Sequence, residues 1–377
     1  MAKRSAIIVG AGIVGLATAR ALAMRNYEVT VIERNQRATG ASIRNFGMIW
    51  PIGQPNGEAY EQAVLSRNIW QQTCKGAGIW LDEVGSMHLA YTRDEMQVLT
   101  ELSEMYRGRQ FEQLTPAAAT AKSPAVNGKN LLGALYSPHE MIVDPRQAIN
   151  ILPDWLFEQF GVKFLWGSAA TEIRYPEVKA GSNTFTADEI YICSGSDFET
   201  LFPLVYSAQA LTKCKLQMLK IRKQPDNWRI GPALCGGLSL LHYGSFKSAP
   251  SLKDLQSSFL QTHPEYLKSG IHVMVSQNQQ GELIIGDSHE YGLTHDPFNS
   301  TEINEMILGY LKHFAMFRDD KVIETWNGVY PKLTNGQSSL VIFPEDGVTI
   351  INGLGGAGMT LSFGLCEQIV SHRTTLA

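Results

Sequence analysis

Three glycines near the start of the chain have the spacing of a phosphate-binding turn. Gly10, Gly12 and Gly15 form a G-x-G-x-x-G motif that follows the β-branched run Ser5–Val9 and opens a helix predicted over Ile13–Met24. The first glycine permits the tight turn, the second lets the backbone approach a pyrophosphate, and the third lets helix and strand pack closely. Free N–H groups at the helix start then bind phosphate. The motif in this context predicts a dinucleotide-binding βαβ unit.

An acidic residue stands where the second strand of this unit ends. The run Glu28–Glu33 predicts that strand, and Glu33 lies 18 residues after Gly15. A carboxylate at this position accepts hydrogen bonds from an adenosine ribose. Its charge would repel a 2′-phosphate, which argues against NADP.

A second glycine-rich segment, Gly353–Thr360, lies near the end of the chain and precedes an apolar helix predicted over Leu361–Val370. Small and hydroxyl residues at Thr39–Ser42 also follow the second strand closely. Both segments suit close approach of a cofactor. An NAD enzyme does not need the end of its chain to return to the first βαβ unit, whereas extended FAD often contacts both, so we predict FAD. The alternative for the C-terminal segment is a plain loop.

The elements that must position these motifs belong to two kinds of sheet. Alternating strands and helices in the first half predict a parallel sheet, and Asp144 followed by Pro145 predicts the start of one helix. Two hairpins are predicted in the second half, over residues 272–285 and 340–351, the latter around the turn Asp346-Gly347. Antiparallel hairpins are not expected in a doubly wound sheet, so we infer a separate antiparallel domain.

We therefore expect an α/β fold in which a Rossmann-like FAD-binding domain is interleaved with an antiparallel-sheet substrate domain. The predicted FAD-binding domain comprises residues 1–85, 141–210 and 326–377, and the predicted substrate domain comprises residues 86–140 and 211–325. Residues 232–270, with a helix over Leu252–Gln261, form an insertion that is either a lid or a surface elaboration.

Composition excludes several classes of partner. The net charge is −4 and no run of five like charges occurs, so neither nucleic acid nor an anionic membrane is expected to bind. No apolar stretch approaches the roughly 18 residues of a membrane helix, and we expect a cytoplasmic protein. The five cysteines form no C-x-x-C pair, so no metal site is predicted and the thiols are expected to pack as small hydrophobic groups.

The chain resembles FAD-dependent oxidoreductases of the D-amino-acid oxidase superfamily, which includes glycine oxidase and sarcosine oxidase. The resemblance covers most of the chain. Besides the glycine motif and Glu33, it rests on Ser42–Met48, Tyr191–Gly195, Trp326–Pro331 and Gly355–Thr360. It implies the D-amino-acid oxidase-like two-domain fold and oxidation of a C–N bond, in some members a C–O bond, by hydride transfer to the flavin.

The resemblance also implies which residues contact the cofactor. Gly47 and Met48 would border the flavin ring, and Ser194 and Gly195 would lie near the adenylate. FAD is expected to be non-covalent, because the cysteine that tethers flavin in sarcosine oxidase is absent. The predicted cofactor-binding residues are Gly10, Gly12, Ile13, Val14, Gly15, Glu33, Arg34, Ala41, Ser42, Asn45, Gly47, Met48, Ala170, Ser194, Gly195, Gly355, Gly356, Gly358, Met359 and Thr360.

Two departures from the family pattern concern the substrate. Amino-acid-oxidising members carry an arginine before the proline of the Trp-x-Gly-x-x-Pro segment, where it grips the substrate carboxylate. This chain has Tyr330 at that position, and Gly356 replaces a second basic residue seen in glycine oxidase. A plain α-amino acid is therefore not the expected substrate.

Three further runs, Ala41–Met48, Cys214–Met218 and Gly286–Gly292, are similar to a narrower bacterial branch associated with aminophosphonate breakdown. This implies an aminophosphonate substrate, and a cation to replace the missing arginine. Arg44 is the first candidate and Lys215 the second. The alternatives for Arg44 are a pyrophosphate contact or a structural ion pair.

Hydride transfer from an amine requires a dry pocket and a group that sets the protonation state of the amine. His289, by resemblance, lies where glycine oxidase lines its pocket, and each histidine has a purely structural role as its alternative. His272 and Met274 alternate towards one face, and Trp50 and Gln54 are candidate pocket walls. The predicted catalytic residues are His289, His242, Tyr243, Tyr330 and Arg44.

The sequence thus predicts an FAD-dependent oxidase or dehydrogenase that acts on a small amine, with oxygen or an unknown molecule as electron acceptor. Two alternatives stay open: a 2-hydroxyacid dehydrogenase on the same fold, and a flavin-binding protein without turnover.

Overall fold

The computed structural model describes residues 3–376. Its strands, numbered in chain order, are β1 (Ser5–Val9), β2 (Glu28–Ile32), β3 (Met48–Ile49), β4 (Leu81–Asp82), β5 (Ser86–Ala90), β6 (Glu112–Leu114), β7 (Gly133–Ser137), β8 (Met141–Val143), β9 (Lys163–Leu165), β10 (Ala170–Arg174), β11 (Glu177–Ala180), β12 (Asn183–Thr186), β13 (Glu189–Ile192), β14 (Leu211–Ile221), β15 (Ala233–Cys235), β16 (Met274–Gln277), β17 (Leu283–Gly286), β18 (Glu290–Gly292), β19 (Val322–Leu333), β20 (Leu340–Ile342) and β21 (Val348–Asn352). Its α-helices are α1 (Ile13–Ala23), α2 (Glu58–Ala77), α3 (Arg93–Met105), α4 (Pro116–Lys122), α5 (Pro145–Phe160), α6 (Pro203–Ser207), α7 (Leu252–Thr262), α8 (Pro264–Lys268), α9 (Thr301–Phe314) and α10 (Gly358–Leu376).

One sheet has six strands in the order β20-β21-β13-β1-β2-β9. Strands β1, β2, β9, β13 and β21 are parallel to their neighbours, and β20 is an antiparallel edge strand. Its two faces are both covered, as a parallel sheet requires: one packs against helices that include α1 and α10, and the other packs against the three-stranded sheet β10-β11-β12. The predicted βαβ unit is confirmed, with β1 ending at Val9 and α1 beginning at Ile13.

A second sheet has nine strands. Its order is β18-β14-β17-β16-β15-β5-β7-β6, and β19 pairs with β14 outside this path. All of its pairings are antiparallel except that between β15 and β5. The expected α/β fold with an antiparallel-rich second sheet is confirmed.

The two predicted hairpins lie in different sheets. The hairpin β16–β17 belongs to the nine-stranded sheet, as expected. The hairpin β20–β21 lies in the six-stranded sheet, where β21 runs parallel to β13. The premise that an antiparallel hairpin is not expected in a doubly wound sheet was wrong for this one, because parallel sheets commonly carry an antiparallel edge strand. The predicted bounds had nevertheless assigned residues 326–377 to the FAD-binding domain.

Several helix boundaries follow from local chemistry. The Asp144 carboxylate accepts hydrogen bonds from the N–H groups of Arg146 and Gln147 at the start of α5, and Pro145 occupies the first turn. This confirms the predicted helix start. Thr92 and Glu95 form a reciprocal capping box at the start of α3.

The strand β19 crosses the boundary proposed at residue 326. It pairs with β14 from Val322 to Leu333, so residues on both sides of that boundary lie in the nine-stranded sheet. The chain then returns to the six-stranded sheet through β20 and β21. As a result, the single strand β19 contains residues from both the predicted substrate domain and the predicted FAD-binding domain.

The insertion over residues 232–270 packs into the core. Leu255 and Phe259 of α7 are buried together with Phe246. The interpretation of this segment as a lid stays a prediction. None of the helices within residues 3–376 has the length and apolar character needed to cross a bilayer. All five cysteines are buried free thiols.

Candidate active site

One cavity of about 710 Å³ joins the two sheets. At one end it is lined by the start of α1, by the loop around Ser42 and by the glycine-rich segment that precedes α10. At the other end it is lined by polar side chains of the nine-stranded sheet and of the insertion. The predicted cofactor residues that line it are Gly12, Ile13, Val14, Ala41, Ser42, Asn45, Met48, Gly195, Gly355, Gly356, Gly358, Met359 and Thr360.

The glycine turn is closed by contacts that only glycine permits. Gly10 has φ +103°, and a Cβ there would lie 2.4 Å from the carbonyl oxygen of Cys193. A Cβ on Gly15 would lie 1.9 Å from the carbonyl oxygen of Gly10. Helix α1 therefore begins directly against the end of β1, with its first turn facing the cavity.

Two helices begin at this end of the cavity. The N-cap residue of α1, Gly12, has no side chain to cap the helix, and no acidic residue occupies the first turn, although Ser42 Oγ accepts the N–H of Ile13. Helix α10 begins beside it, since a Cβ on Gly358 would lie 3.7 Å from Ile13 Cγ2. Two helix N-termini thus contribute partial positive charge to one place, which favours an anionic group.

The loop between β2 and β3 is held by its own polar groups. Ser42 Oγ accepts the N–H of Ile13 at 2.9 Å. Asn45 donates to the carbonyl oxygens of Ala41 and Ser42 and accepts the N–H of Gly47. These bonds fix the loop before β3 begins at Met48, so the backbone that the resemblance places beside the flavin is rigid.

The start of α10 is tied to the same region. Thr360 Oγ1 accepts the N–H of Trp50 at 2.9 Å, and Trp70 Nε1 donates to the carbonyl oxygen of Met359. Trp50 Nε1 also lies at the cavity and is buried with no hydrogen-bond partner within residues 3–376. Buried polar atoms usually have a partner, so this donor suits a ligand acceptor.

The other predicted cofactor residues lie outside the lining of this cavity. Glu33 accepts the N–H groups of Ala11 and Asn35, which orients its carboxylate at the end of β2. Arg34 is paired with Asp197, and Ala170 is buried as the first residue of β10. These outer residues are Gly10, Gly15, Glu33, Arg34, Gly47, Ala170 and Ser194.

Three histidines that are distant in sequence meet at the other end of the cavity. The ring centroids of His242 and His272 are 4.0 Å apart, and that of His289 is 4.5 Å from His242 and 4.9 Å from His272. His242 follows a 3-10 turn in the insertion, His272 precedes β16, and His289 follows β17. All three line the cavity.

Asp287 completes this histidine cluster. Its backbone exchanges two hydrogen bonds with that of His272, which extends the β16–β17 pairing to these residues. The Asp287 carboxylate lies 3.1 Å from His272 Nε2 and 3.9 Å from His289 Nε2. Within residues 3–376, Asp287 Oδ1 and both ring nitrogens of His272 are buried without a hydrogen-bond partner. Each such group costs about 1–3 kcal/mol if left unsatisfied.

Burial sets the charge of the cluster. It holds the pKa of His242 and of His272 well below the usual 6.5 and lowers the pKa of His289 to about 4. Burial also raises the pKa of Asp287 well above its usual value. Although His272 and Asp287 are close enough for an ion pair, burial therefore favours the neutral forms of the three histidines and of Asp287 as long as no other charged group binds beside them.

Two tyrosines stand near the cluster. Tyr243 Oη donates to Met274 Sδ at 3.3 Å, and its ring lies 6.4 Å from Trp50. Tyr330 faces the glycine-rich segment, with its Oη 3.6 Å from where a Cβ on Gly356 would lie. Burial raises the pKa of both phenols well above 10, so both remain neutral hydrogen-bond donors at pH 7.

The cation candidates occupy different places. Arg44 lines the cavity, but its Nη1 donates to the carbonyl oxygen of Asn327 at 3.1 Å. Lys215 Nζ donates to the carbonyl oxygens of Asp296 and Phe298, both at 2.5 Å, so its charge is directed to that loop. Neither side chain contacts the cluster.

Lys332 is a cavity cation that was not predicted from the sequence, and the exposed Lys247 also lines the cavity. Lys332 is half-buried, and its Nζ donates to Tyr291 Oη at 3.1 Å. Its charge acts on Asp287 and on all three histidines, and burial lowers the pKa of its own ammonium. The signal was present, because residues two apart on a strand share a face and Lys332 is two residues after Tyr330. Asp287 was equally visible as an acid directly after a buried strand.

Comparison with known proteins identifies relatives of the whole chain. The profile of the DAO family, described as FAD dependent oxidoreductase, matches residues 5–372. Glycine oxidase from Bacillus cereus ATCC 14579 superposes with a TM-score of 0.79 at 17% identity, covering 100% of this chain and 96% of that one. L-proline dehydrogenase from P. horikoshii superposes with a TM-score of 0.78 at 20% identity, covering 99% and 94%. These two likenesses show a shared fold.

A curated relative matches part of the chain. Human mitochondrial sarcosine dehydrogenase is 29% identical over 147 residues, which is 37% of this chain and 16% of that protein. The chain thus spans only a small part of the length of this relative.

Proposed function

We propose an activity for this chain from one premise: it belongs to the family of FAD-dependent oxidoreductases. The chain is therefore an oxidoreductase that uses FAD. We propose that it oxidises the C–N bond of a small amine that also carries an anionic group, with an aminophosphonate as the candidate substrate. The observation that carries this proposal is a single cavity that joins the anion-binding helix starts to a polar wall with a cation.

The residues present fit FAD. The start of α1 at Gly12 and the adjacent start of α10 at Gly358 suit the pyrophosphate and an electron-rich ring edge. Trp50 lines the same cavity, and its Nε1 is a buried donor without a partner within residues 3–376. Glu33 retains a carboxylate lone pair for a ribose beyond the three N–H groups that it accepts, from the Ala11 backbone and from the backbone and side chain of Asn35. Bound FAD would supply the acceptor for a hydride.

The substrate end of the cavity offers two kinds of group. Lys332 supplies a positive charge for a phosphonate or a carboxylate, and Tyr330 and Tyr243, whose phenols stay neutral, line the same cavity. A charge-assisted hydrogen bond from lysine to an anionic oxygen is about twice as strong as a neutral one. Because burial keeps the histidines uncharged, they do not compete with Lys332 as the anion partner.

The buried surroundings of the histidine cluster favour the neutral form of an amine, which is the form that reacts. An amine must be neutral before its α-hydrogen can leave as hydride, and a poorly hydrated cavity disfavours an ammonium group. The side chains of the histidine cluster and of Asp287 line this cavity, and each neutral imidazole has one unprotonated ring nitrogen. These groups can accept an N–H hydrogen bond and so orient the amine towards the glycine-rich end.

The names of the relatives agree with amine chemistry. Sarcosine, glycine and L-proline, which name the three relatives, are all amines that carry a carboxylate. In this chain Tyr330 stands where the family's carboxylate-binding arginine would be. In this chain the cation is Lys332, two residues further along β19. We therefore propose that the anionic group of the substrate occupies a different position from the one that an α-carboxylate would occupy beside the arginine.

The proposal is tested by reduction of the flavin without oxygen. The purified FAD-loaded protein is mixed anaerobically with a 2-hydroxyacid and, separately, with three matched amines of equal length, which carry a phosphonate, a carboxylate or no charge. We expect bleaching of the flavin absorbance, fastest with the phosphonate. Bleaching only by 2-hydroxyacids would replace amine oxidation with alcohol oxidation, and bleaching by none of these compounds would favour a flavin-binding protein without turnover.

A further inference from the structure

We propose that His242, His272, His289 and Asp287 bind a divalent transition-metal ion, Zn²⁺ by preference, at the substrate end of the cavity. No metal site was expected from the sequence, since the ligands come from three separate segments. The ion itself would undergo no redox change. It would act as a Lewis acid that takes an anionic oxygen of the substrate as a fifth ligand, an expansion that Zn²⁺ permits.

The donor set is the first argument. Each of the three imidazoles offers a ring nitrogen, and these three atoms lie within 4.8 Å of one another. The carboxylate of Asp287 lies beside two of them, at 3.1 Å from His272 Nε2 and 3.9 Å from His289 Nε2. Three histidines with a carboxylate suit Zn²⁺ and similar ions.

The hydrogen bonds that are absent are the second argument. Neither ring nitrogen of His272 has a partner within residues 3–376, nor does Asp287 Oδ1, although all three atoms are buried. Native interiors seldom leave three adjacent polar atoms unsatisfied. A metal ion would satisfy the carboxylate and one nitrogen of His272 at once.

An outer hydrogen bond supports the same assignment. His289 Nδ1 lies 3.0 Å from the carbonyl oxygen of Gly270, to which it donates when it carries the proton. That tautomer leaves Nε2, the nitrogen that faces Asp287, free to bind metal. Ligand histidines in metal sites are usually oriented in this way, by an N–H bond to a carbonyl or carboxylate oxygen.

The site needs a modest contraction to hold an ion. Zinc–nitrogen bonds of about 2.0–2.1 Å place tetrahedral ligand atoms about 3.4 Å apart. The nitrogens now lie within 4.8 Å, so small side-chain rotations suffice. His242, which is only partly buried, belongs to the insertion rather than to the β16–β17 hairpin, and its movement would complete the site.

The ion would face the substrate. All four ligands line the cavity, and Lys332 lies on the same side. Lys332 opposes an added cation, whereas the charge of Asp287 offsets it. An anionic group of the substrate would therefore have both Lys332 and the ion as partners. This last step rests on the proposed function, whereas metal binding does not.

Metal binding is tested on the FAD-loaded protein in the absence of substrate. The protein is stripped with a chelator and desalted, and Zn²⁺ is then titrated by calorimetry, with Co²⁺ as a second probe whose absorption is followed beyond the flavin bands. We expect one equivalent of Zn²⁺ to bind with a Kd of ~1 µM or tighter. His272→Gln, His289→Gln and Asp287→Asn should each weaken binding ~100-fold or more.

His88→Gln is the matched control. His88 is also fully buried with two unpartnered ring nitrogens, but it packs against Trp50 and Phe246 instead of the cluster. It should leave the Zn²⁺ affinity unchanged. Flavin content and thermal midpoint show which variants fold, and the three ligand variants give independent readings if one of them does not.

Two results would overturn the metal site. One is failure of the folded, FAD-loaded protein to take up an equivalent of Zn²⁺ at micromolar concentration. The other is equal loss of affinity in His88→Gln and in the ligand variants. The outcomes are separable from the proposed function: Zn²⁺ binding without bleaching by any amine rejects the amine oxidation alone, and bleaching by protein that binds no Zn²⁺ rejects the metal alone.

Discussion

Replacement of Lys332 tests the anion partner most directly. The Lys332→Met variant keeps the length of the side chain and removes its charge at the substrate end of the cavity, where Lys332 contacts Tyr291 through Nζ. Loss of one member of a buried, hydrogen-bonded charge pair costs about 2–5 kcal/mol. Because Lys332 is half-buried, we expect the low end, about 2 kcal/mol, which is a ~30-fold loss in kcat/KM.

The assay compares two substrates in each variant. Steady-state kinetics with an amine that bears a phosphonate and with an uncharged amine of the same length separate anion binding from amine chemistry. We expect the ~30-fold loss only for the phosphonate, mainly as a rise in KM. Lys332→Arg should restore most of the phosphonate activity, because it restores the charge.

Lys215→Met is the matched control for this experiment. Lys215 is a second lysine of the same sheet whose Nζ donates to two backbone carbonyl oxygens. Its removal should lower stability and leave the ratio of the two substrates unchanged. Arg44→Ala decides between the cations, since Arg44 was the candidate from the sequence. If Arg44→Ala abolishes the preference for phosphonate and Lys332→Met does not, the reasoning from Lys332 is refuted.

Two further predictions concern the cofactor end and the pH dependence of stability. Gly15→Ala places a methyl group 1.9 Å from the carbonyl oxygen of Gly10, so purified protein should contain little FAD and show a lower thermal midpoint; full flavin content with an unchanged midpoint would contradict the packing argument. Glu140 is fully buried, and burial raises its pKa from 4.5 to about 7, so the folded state holds its proton more tightly and loses stability as pH rises through that interval. Relative to Glu140→Gln, the wild type should lose up to about 3 kcal/mol of unfolding free energy between pH 4 and pH 8, and urea titrations giving a constant difference would show that Glu140 titrates normally.

The cofactor end could be predicted from the sequence because backbone geometry builds it. The glycine at position 10 is required by its φ of +103°, and Gly15 by its contact with a backbone carbonyl group. Such requirements leave a fixed spacing in the sequence. The strand β1 and the start of α1 were accordingly predicted at Ser5 and Ile13, where the structure has them.

The substrate end could be predicted only in part because side chains build it. His242, His272 and His289 were each candidates, but nothing in their spacing indicated that their rings lie within 4.9 Å of one another. Their meeting depends on the register of β16 against β17, and on an insertion that returns to that hairpin. Lys332 was not predicted, although it is two residues after Tyr330 and therefore shares a face of β19 with it.

The two ends of the cavity also differ in whether their polar groups have hydrogen-bond partners within the protein. At the cofactor end the side chains of Ser42 and Asn45 are hydrogen-bonded within the protein and hold the loop from Ala41 to Gly47 in place. At the other end His272 and Asp287 keep buried polar atoms without partners. Such atoms lower stability, and a ligand that satisfies them gains that free energy on binding. We infer that specificity resides in the histidine cluster and Lys332, because a molecule that leaves those groups unsatisfied forgoes this gain.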